Sequence, residues 1–159
     1  MRNVVLARVD DRLIHGEVIT SFIPYYKANV VIVVDDQTAK DKFQIRVLQA
    51  CCPKGVSIEI YDVASAAEAI NKENNPDEIV IILSKTPIAF EGIINAGVDI
   101  KAVNIGGMGI RGERKPFVRN CAASPDEIAS MKRMVDKGID VYYRLVADAE
   151  RIEIVDKLK

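Results

Sequence analysis

The sequence predicts an α/β chain built as a doubly wound, mostly parallel open sheet with helices on both faces. Three observations lead there. Six short β-branched runs recur along the chain. Most of them are apolar without interruption, as strands buried on both faces are. Stretches with helical spacing and helix-start signals separate them, and that alternation implies parallel strands joined by crossover helices.

Taken in order, Val4–Val9 is the first expected strand, followed by a helix through Glu17–Tyr25 that Pro24 should end or kink. Val30–Val34 is the second strand, and the helix after it ends near Cys51 and Cys52, before Pro53. Gly55 stops that segment and Val56–Tyr61 is the third strand. Ser65 and Glu68 have capping-box spacing for the next helix, and Ile79–Leu83 is the fourth strand. Thr86-Pro87 opens a further helix, which Gly97 closes before the strand Ala102–Ile105. A glycine-rich loop and a short extended piece, Phe117–Cys121, come next. Ser124-Pro125-Asp126-Glu127 then supplies an N-cap, a proline at the first helical position and a capping-box glutamate. Gly138 ends that helix, and Ile139–Leu145 is the last strand. No linker or repeat divides the chain, so residues 1–159 are expected to form one domain.

The composition narrows the function. With a formal net charge of −1 and no clustered Lys or Arg, the 159 residues do not make a nucleic-acid groove or a polybasic membrane patch. No apolar run approaches the roughly 20 residues of a membrane span. Arg8 and Asp10 cut short the apolar stretch at the N-terminus, and the three cysteines have no framework spacing, so a reduced cytoplasmic setting is expected. All three cysteines are expected to be small buried hydrophobes.

In an open parallel sheet, ligands bind beyond the carboxyl ends of the strands. There this sequence places His15 and its neighbours, Asp35-Asp36, Asp62, Ser84-Lys85 and Gly106-Gly107-Met108-Gly109. His15 is the only histidine, set where a loop turns into a helix. Backbone N–H groups at a helix start favour anions, and Gly16 leaves room for one to approach. Arg12 offers a planar fork of donors suited to phosphate oxygens. Asp10 or Asp11 could hold one ring nitrogen as N–H and leave the other free to attack. Nucleophile, cation, anion-binding backbone and orienting carboxylate suit phosphorylation of a histidine. The same residues also suit an inert charged turn.

Arg8-Val9-Asp10-Asp11-Arg12-Leu13-Ile14-His15-Gly16-Glu17-Val18 resembles the active-site loop of the IIB subunits of the mannose/fructose/sorbose family of the bacterial phosphoenolpyruvate-dependent sugar phosphotransferase system. Val33-Val34-Asp35-Asp36 and Asn104-Ile105-Gly106-Gly107-Met108 resemble later stretches of that family, and the likeness covers essentially the whole chain. It implies that His15 is phosphorylated, that Arg12 helps to bind the phosphoryl group with Asp10 and Asp11 in the catalytic loop, and that Arg8, Gly16, Gly106, Gly107 and Met108 belong to the phosphate-binding loops. It implies no metal and no cofactor. The donor would be a phosphorylated IIA protein or domain. The acceptor would be a hexose of the mannose, fructose, sorbose or N-acetyl-amino-sugar class, brought by membrane subunits IIC and IID. The protein would be cytoplasmic and peripheral to that transporter, with homo-oligomerisation left open. Two positions depart from the family pattern: Glu17 stands where Gln is frequent, and Phe22 where Trp is.

Other readings compete. Gly107-Met108-Gly109-Ile110-Arg111-Gly112 matches a dinucleotide fingerprint, but Glu113-Arg114-Lys115-Pro116 breaks the helix it requires. It is better read as a loop beside His15, with Met108 or Ile110 exposed to a partner, or as a plain turn. A receiver-like domain would use Asp10-Asp11 for a metal and Asp62 as phosphoryl acceptor, although Asp62 is also placed to cap the next helix. A cysteine acceptor and a purely phosphate-recognising module complete the alternatives.

Overall fold

The computed structural model describes residues 1–159 and has a seven-stranded sheet at its centre. Its strands are β1 (Val4–Asp10), β2 (Val30–Val34), β3 (Ser57–Tyr61), β4 (Val80–Ser84), β5 (Ala102–Gly107), β8 (Asp140–Tyr143) and β9 (Ile152–Glu153). Their spatial order is β3-β2-β4-β1-β5-β8-β9, parallel throughout except for the antiparallel β9 edge. A separate antiparallel hairpin joins β6 (Lys115–Val118) to β7 (Cys121–Ala123).

The uninterrupted apolar runs are buried as expected: every residue of β2 and of β4 is inside. Alternate residues feed two cores. Val30, Ile32, Val34, Val80 and Ile82 pack with α4 (Val63–Ile70), α5 (Pro87–Asn95) and α6 (Pro125–Asp136). Val31, Val33, Ile81 and Leu83 pack on the opposite face with Leu13, Val18, Phe22 and Leu48. Helices therefore cover both faces, and β1 lies where the chain reverses its direction across the sheet, between β4 and β5. Loops leaving β1 and β5 meet there, at the carboxyl edge.

Several local expectations changed in detail. Pro24 does not end the first helix. Helical backbone begins at Gly16, widens into a π-turn over Val18–Phe22 and resumes as α1 (Ile23–Tyr26), so Pro24 lies inside a continuous helical run directly after the π-turn. Lys27 closes it with φ 56°. The segment before β3 is two helices, α2 (Asp36–Lys40) and α3 (Lys42–Cys51), broken at Asp41, whose carboxylate caps the N–H groups of Phe43 and Gln44. The helix α4 is capped by Asp62, which accepts from Ser65 N, so Ser65 lies inside the helix and is not its cap. Ser124 and Glu127 form the expected capping box on α6. The piece Phe117–Cys121 is the turn of the β6–β7 hairpin, and Arg119 occupies it at φ 48°. The last strand stops at Tyr143 because the chain then turns its Arg144 and Leu145 carbonyls inward. Only Cys121 is buried; Cys52 is half-buried and Cys51 is exposed at the end of α3, which corrects the reading of all three as core residues.

Candidate functional site

Strand alternation puts Arg8 and Asp10 on the same side of β1, pointing toward the end of β5. Both are fully buried. Burying a charge is costly unless it is paired and hydrogen-bonded. Here Arg8 donates from Nη1 to Asn104 Oδ1 (2.7 Å) and the Arg144 carbonyl (2.8 Å), and from Nη2 to Asp10 Oδ2 (3.2 Å) and the Leu145 carbonyl (3.0 Å). The Phe22 ring, delivered by the π-turn, covers its guanidinium at 4.4 Å. On the other side lies the backbone of β5. A Cβ on Gly106 would stand 2.2 Å from Arg8 Cζ, and one on Gly107 would stand 2.6 Å from Asp10 Oδ1. The Gly-Gly pair is thus the seat of this buried ion pair. Met108, expected to be exposed with Ile110, is 1% exposed and belongs to the core. Ile110, 73% exposed, is the apolar residue this loop presents.

Asp10 is the hub. Its Oδ2 lies 2.9 Å from His15 Nε2, and its Oδ1 accepts from the backbone N–H of Arg12 at 3.1 Å and from Arg12 Nε at 3.3 Å. Burial alone would raise the carboxyl's pKa. The hydrogen bonds from His15 and the Arg12 N–H, with the charge of Arg8, outweigh that and hold it at about 2. An ionised Asp10 accepts Nε2–H and fixes the imidazole tautomer, leaving Nδ1 unprotonated. Leu13, buried in the core at φ 57°, makes the bend that returns His15 over Asp10. On the open side of the ring, Glu17 N–H lies 3.4 Å from Nδ1. Arg12, its side chain 52% exposed, stretches past the ring to Glu17 Oε2 at 2.9 Å. Nothing lies within 4 Å of a Cβ built on Gly16, so the backbone beside the ring is open.

Asp11 turns the other way. Its carboxylate binds Gly109 N–H (2.8 Å), Arg111 Nη2 (3.2 Å) and Arg114 Nη1 (2.8 and 2.9 Å). This resolves which aspartate faces the ring: Asp10 does, and Asp11 ties the His15 loop to the glycine loop instead. Arg114 is buried and also holds both oxygens of Glu127, at 2.7 and 2.8 Å, and Glu127 accepts from Thr86 Oγ1 at 2.9 Å. This chain links the loop after β1 to the starts of α5 and α6. Arg114, Glu127 and Asn104 are not among the site residues expected from the sequence, although Asn104 opens the family-like stretch Asn104–Met108 and Glu127 is the capping-box glutamate; Arg114 carries no such signal.

The competing sites are differently employed. Asp35 caps α2 through Thr38 N and Oγ1 (2.9 and 2.6 Å), Asp36 accepts from Val63 N (2.8 Å), and Asp62 is a helix cap. With Asp10 and Asp11 each bound to arginines, no receiver-like acidic pocket forms. The loop after Gly107 runs into the β6–β7 hairpin and opens no helix, so it is no dinucleotide fold. Ligand atoms of Asp10, His15 and Glu17 do lie within 4.8 Å of one another, a spacing a divalent cation could bridge. Arg12 already pairs with both carboxylates, so its guanidinium supplies that positive charge.

The electrostatics of Asp10 give a first prediction. Because its folded pKa lies below the ordinary 3.8, its stabilising contribution is fully present above that ordinary value and is lost as pH falls through about 2. It amounts to about 2 kcal/mol, most of it lost between roughly pH 4 and pH 2. Urea unfolding from pH 5 downward should show a flatter pH dependence for Asp10→Asn than for the unaltered protein, by about that amount. Identical slopes would show that Asp10 is not held ionised as described.

The sequence model for the PTS system sorbose subfamily IIB component matches residues 4–159. The fructose-specific EIIB component of Bacillus subtilis (strain 168) is 32% identical over 150 residues, covering 94% of this chain and 92% of that protein. The mannose-specific EIIAB component of Escherichia coli (strain K12) is 35% identical over 153 residues, which are 95% of this chain and 47% of that longer protein. Among solved structures, the IIBSor domain of the sorbose permease from Klebsiella pneumoniae superposes with a TM-score of 0.89 at 29% identity, covering 98% of this chain and 96% of that one. With a family match across nearly the whole length and the same doubly wound fold, this chain belongs to the sorbose subfamily of IIB components, the phosphoryl-transfer proteins of phosphotransferase sugar uptake.

Proposed function

We propose that residues 1–159 act as one IIB unit in which His15 Nδ1 accepts a phosphoryl group from a phosphorylated IIA protein and passes it to a sugar held by the membrane subunits IIC and IID. The observation that carries this is the pairing of His15 Nε2 with the buried Asp10 carboxylate at 2.9 Å, which leaves Nδ1 unprotonated as the nucleophile on the open side, its lone pair accepting only the long 3.4 Å bond from Glu17 N–H. The Nδ1 lone pair forms the new N–P bond as the donor's N–P bond breaks, and Nε2 keeps its proton against Asp10. The positive phosphoimidazole is then balanced by that carboxylate. Arg12 and Glu17 N–H are the donors for the phosphoryl oxygens, so the step rests on positioning and charge stabilisation. In the second step a sugar hydroxyl oxygen forms a new O–P bond as the N–P bond breaks, Nδ1 regains its lone pair, and the hydroxyl proton is given up to solvent or to a base beside the bound sugar.

The E. coli relative named as an EIIAB component joins A and B parts in one chain, which supports a IIA partner. Relatives named for fructose, mannose, sorbose and N-acetylgalactosamine support a substrate among such hexoses. No helix is long and apolar enough to cross a membrane, in keeping with a cytoplasmic, peripheral subunit.

Incubation with phosphorylated IIA should label the protein on His15, with a linkage labile to acid and stable to alkali. His15→Ala should take up no label. Label retained by His15→Ala, or a linkage labile to alkali, would overturn the assignment.

A further inference from the structure

Glu17 brings two opposed groups to one place. Its backbone N–H points at His15 Nδ1 from 3.4 Å, while its carboxylate, half-buried, is bound to Arg12 Nη2 at 2.9 Å. Asp10 shares its charge among Arg8, Arg12 and His15, but the Glu17 carboxylate has Arg12 as its only hydrogen-bond partner. Nothing else in the fold requires it: it lies in the first helical turn, and the π-turn is fixed by backbone bonds and by the burial of Val18 and Phe22. In the unphosphorylated protein this ion pair stretches Arg12 across the mouth of the site, preset beside Nδ1. A phosphoryl group on Nδ1 brings about two negative charges, which compete with Glu17 for the same guanidinium. Whichever way Arg12 turns, an anion is left with weaker compensation beside another anion.

We propose that Glu17 is a positioning residue that sets the transfer potential of phospho-His15: its carboxylate holds Arg12 ready for the incoming group, and afterwards repels the phosphoryl oxygens and favours their onward transfer. The proposal rests on His15 being the acceptor. No additional reactant enters; the N–P bond made and broken is the one already described, and Glu17 neither gains nor loses a proton.

The test uses the full chain and a phosphorylated IIA protein of a mannose-family system, with phosphate followed on both partners until the ratio is constant. Glu17→Gln keeps the shape and an acceptor for Arg12 while removing the charge. It should shift the equilibrium three- to tenfold toward the phosphorylated IIB protein, roughly the scale of a partly exposed ion pair. Hydrolysis of the isolated phosphoprotein at pH 7 should slow by a similar factor. The gap should narrow at 1 M salt, where the screening length falls to about 3 Å, and vanish in urea, where a merely local chemical effect would persist. Glu17→Ala, which also removes the tether, should reach the same shifted equilibrium several-fold more slowly. Failure of the unaltered protein to be labelled would overturn the acceptor assignment and this proposal with it. Labelling of the unaltered protein with equal equilibrium ratios and hydrolysis rates in Glu17→Gln would overturn this proposal alone.

Discussion

An Asp10→Asn protein is expected to accept phosphate from IIA about a thousandfold more slowly, or worse, by analogy with other imidazoles whose orienting carboxylate is made an amide. Either orientation of the amide is unfavourable. With its oxygen toward His15 Nε2–H, its NH2 group meets the donors of Arg12, which now approach Oδ1 at 3.1 and 3.3 Å. With its NH2 group toward His15, the imidazole must accept at Nε2, and the proton moves to Nδ1, where the lone pair is needed. The fully buried Arg8 also loses its counter-charge, which costs about 3–5 kcal/mol when one partner of a buried pair is removed. Rates should therefore be taken at low temperature, with circular dichroism confirming that the variant is folded. A folded Asp10→Asn that accepts phosphate at an unaltered rate would contradict the role given to this carboxylate.

The second large effect is expected at Gly106. An alanine Cβ there would stand 2.2 Å from Arg8 Cζ and 2.3 Å from Nη2. Arg8 has nowhere to go, since Asn104, two carbonyls and Asp10 hold its guanidinium and the Phe22 ring closes the far side. Gly106→Ala should lose about 3 kcal/mol or more of stability. Because Asp10 moves with Arg8, transfer should fall about a hundredfold even in the folded fraction. Gly16→Ala serves as the contrast, with open space around the added methyl group and little expected change in stability. Equal urea midpoints for Gly106→Ala and Gly16→Ala would contradict the tight seat described for Arg8.

Much of this was legible in the residues. The parallel strands announced themselves because both of their faces are buried, so Val30–Val34 and Val80–Ser84 carry no polar alternation. The hairpin was compressed into one extended piece because its turn uses Arg119 at positive φ, with no glycine to mark it. The two-residue β9 has no periodicity to read. The break at Asp41 looked like helix interior because its signal is a side chain turned back on two backbone N–H groups. At the site, His15, Arg12 and the helix start were visible as a local pattern. The choice between Asp10 and Asp11 was not, although it follows from strand alternation: Asp10 shares Arg8's side of β1, and Asp11 is already in the turn. Gly106 and Gly107 were read toward phosphate, but they accommodate a neighbouring strand's buried side chains, a need that only tertiary packing reveals. The Arg114–Glu127 link joins residues from separate elements that bear no common motif.

The phosphoryl group is expected on Nδ1 of His15, with Asp10 keeping the proton of Nε2. With a single histidine in the chain, long-range proton–nitrogen NMR of protein labelled with 15N-histidine reports one imidazole, before and after phosphorylation by phospho-IIA. The Nδ1 resonance should move to the position of a phosphorylated ring nitrogen, with Nε2 remaining protonated. Phosphorylation at Nε2, or label uptake that leaves both ring nitrogens unchanged, would contradict it.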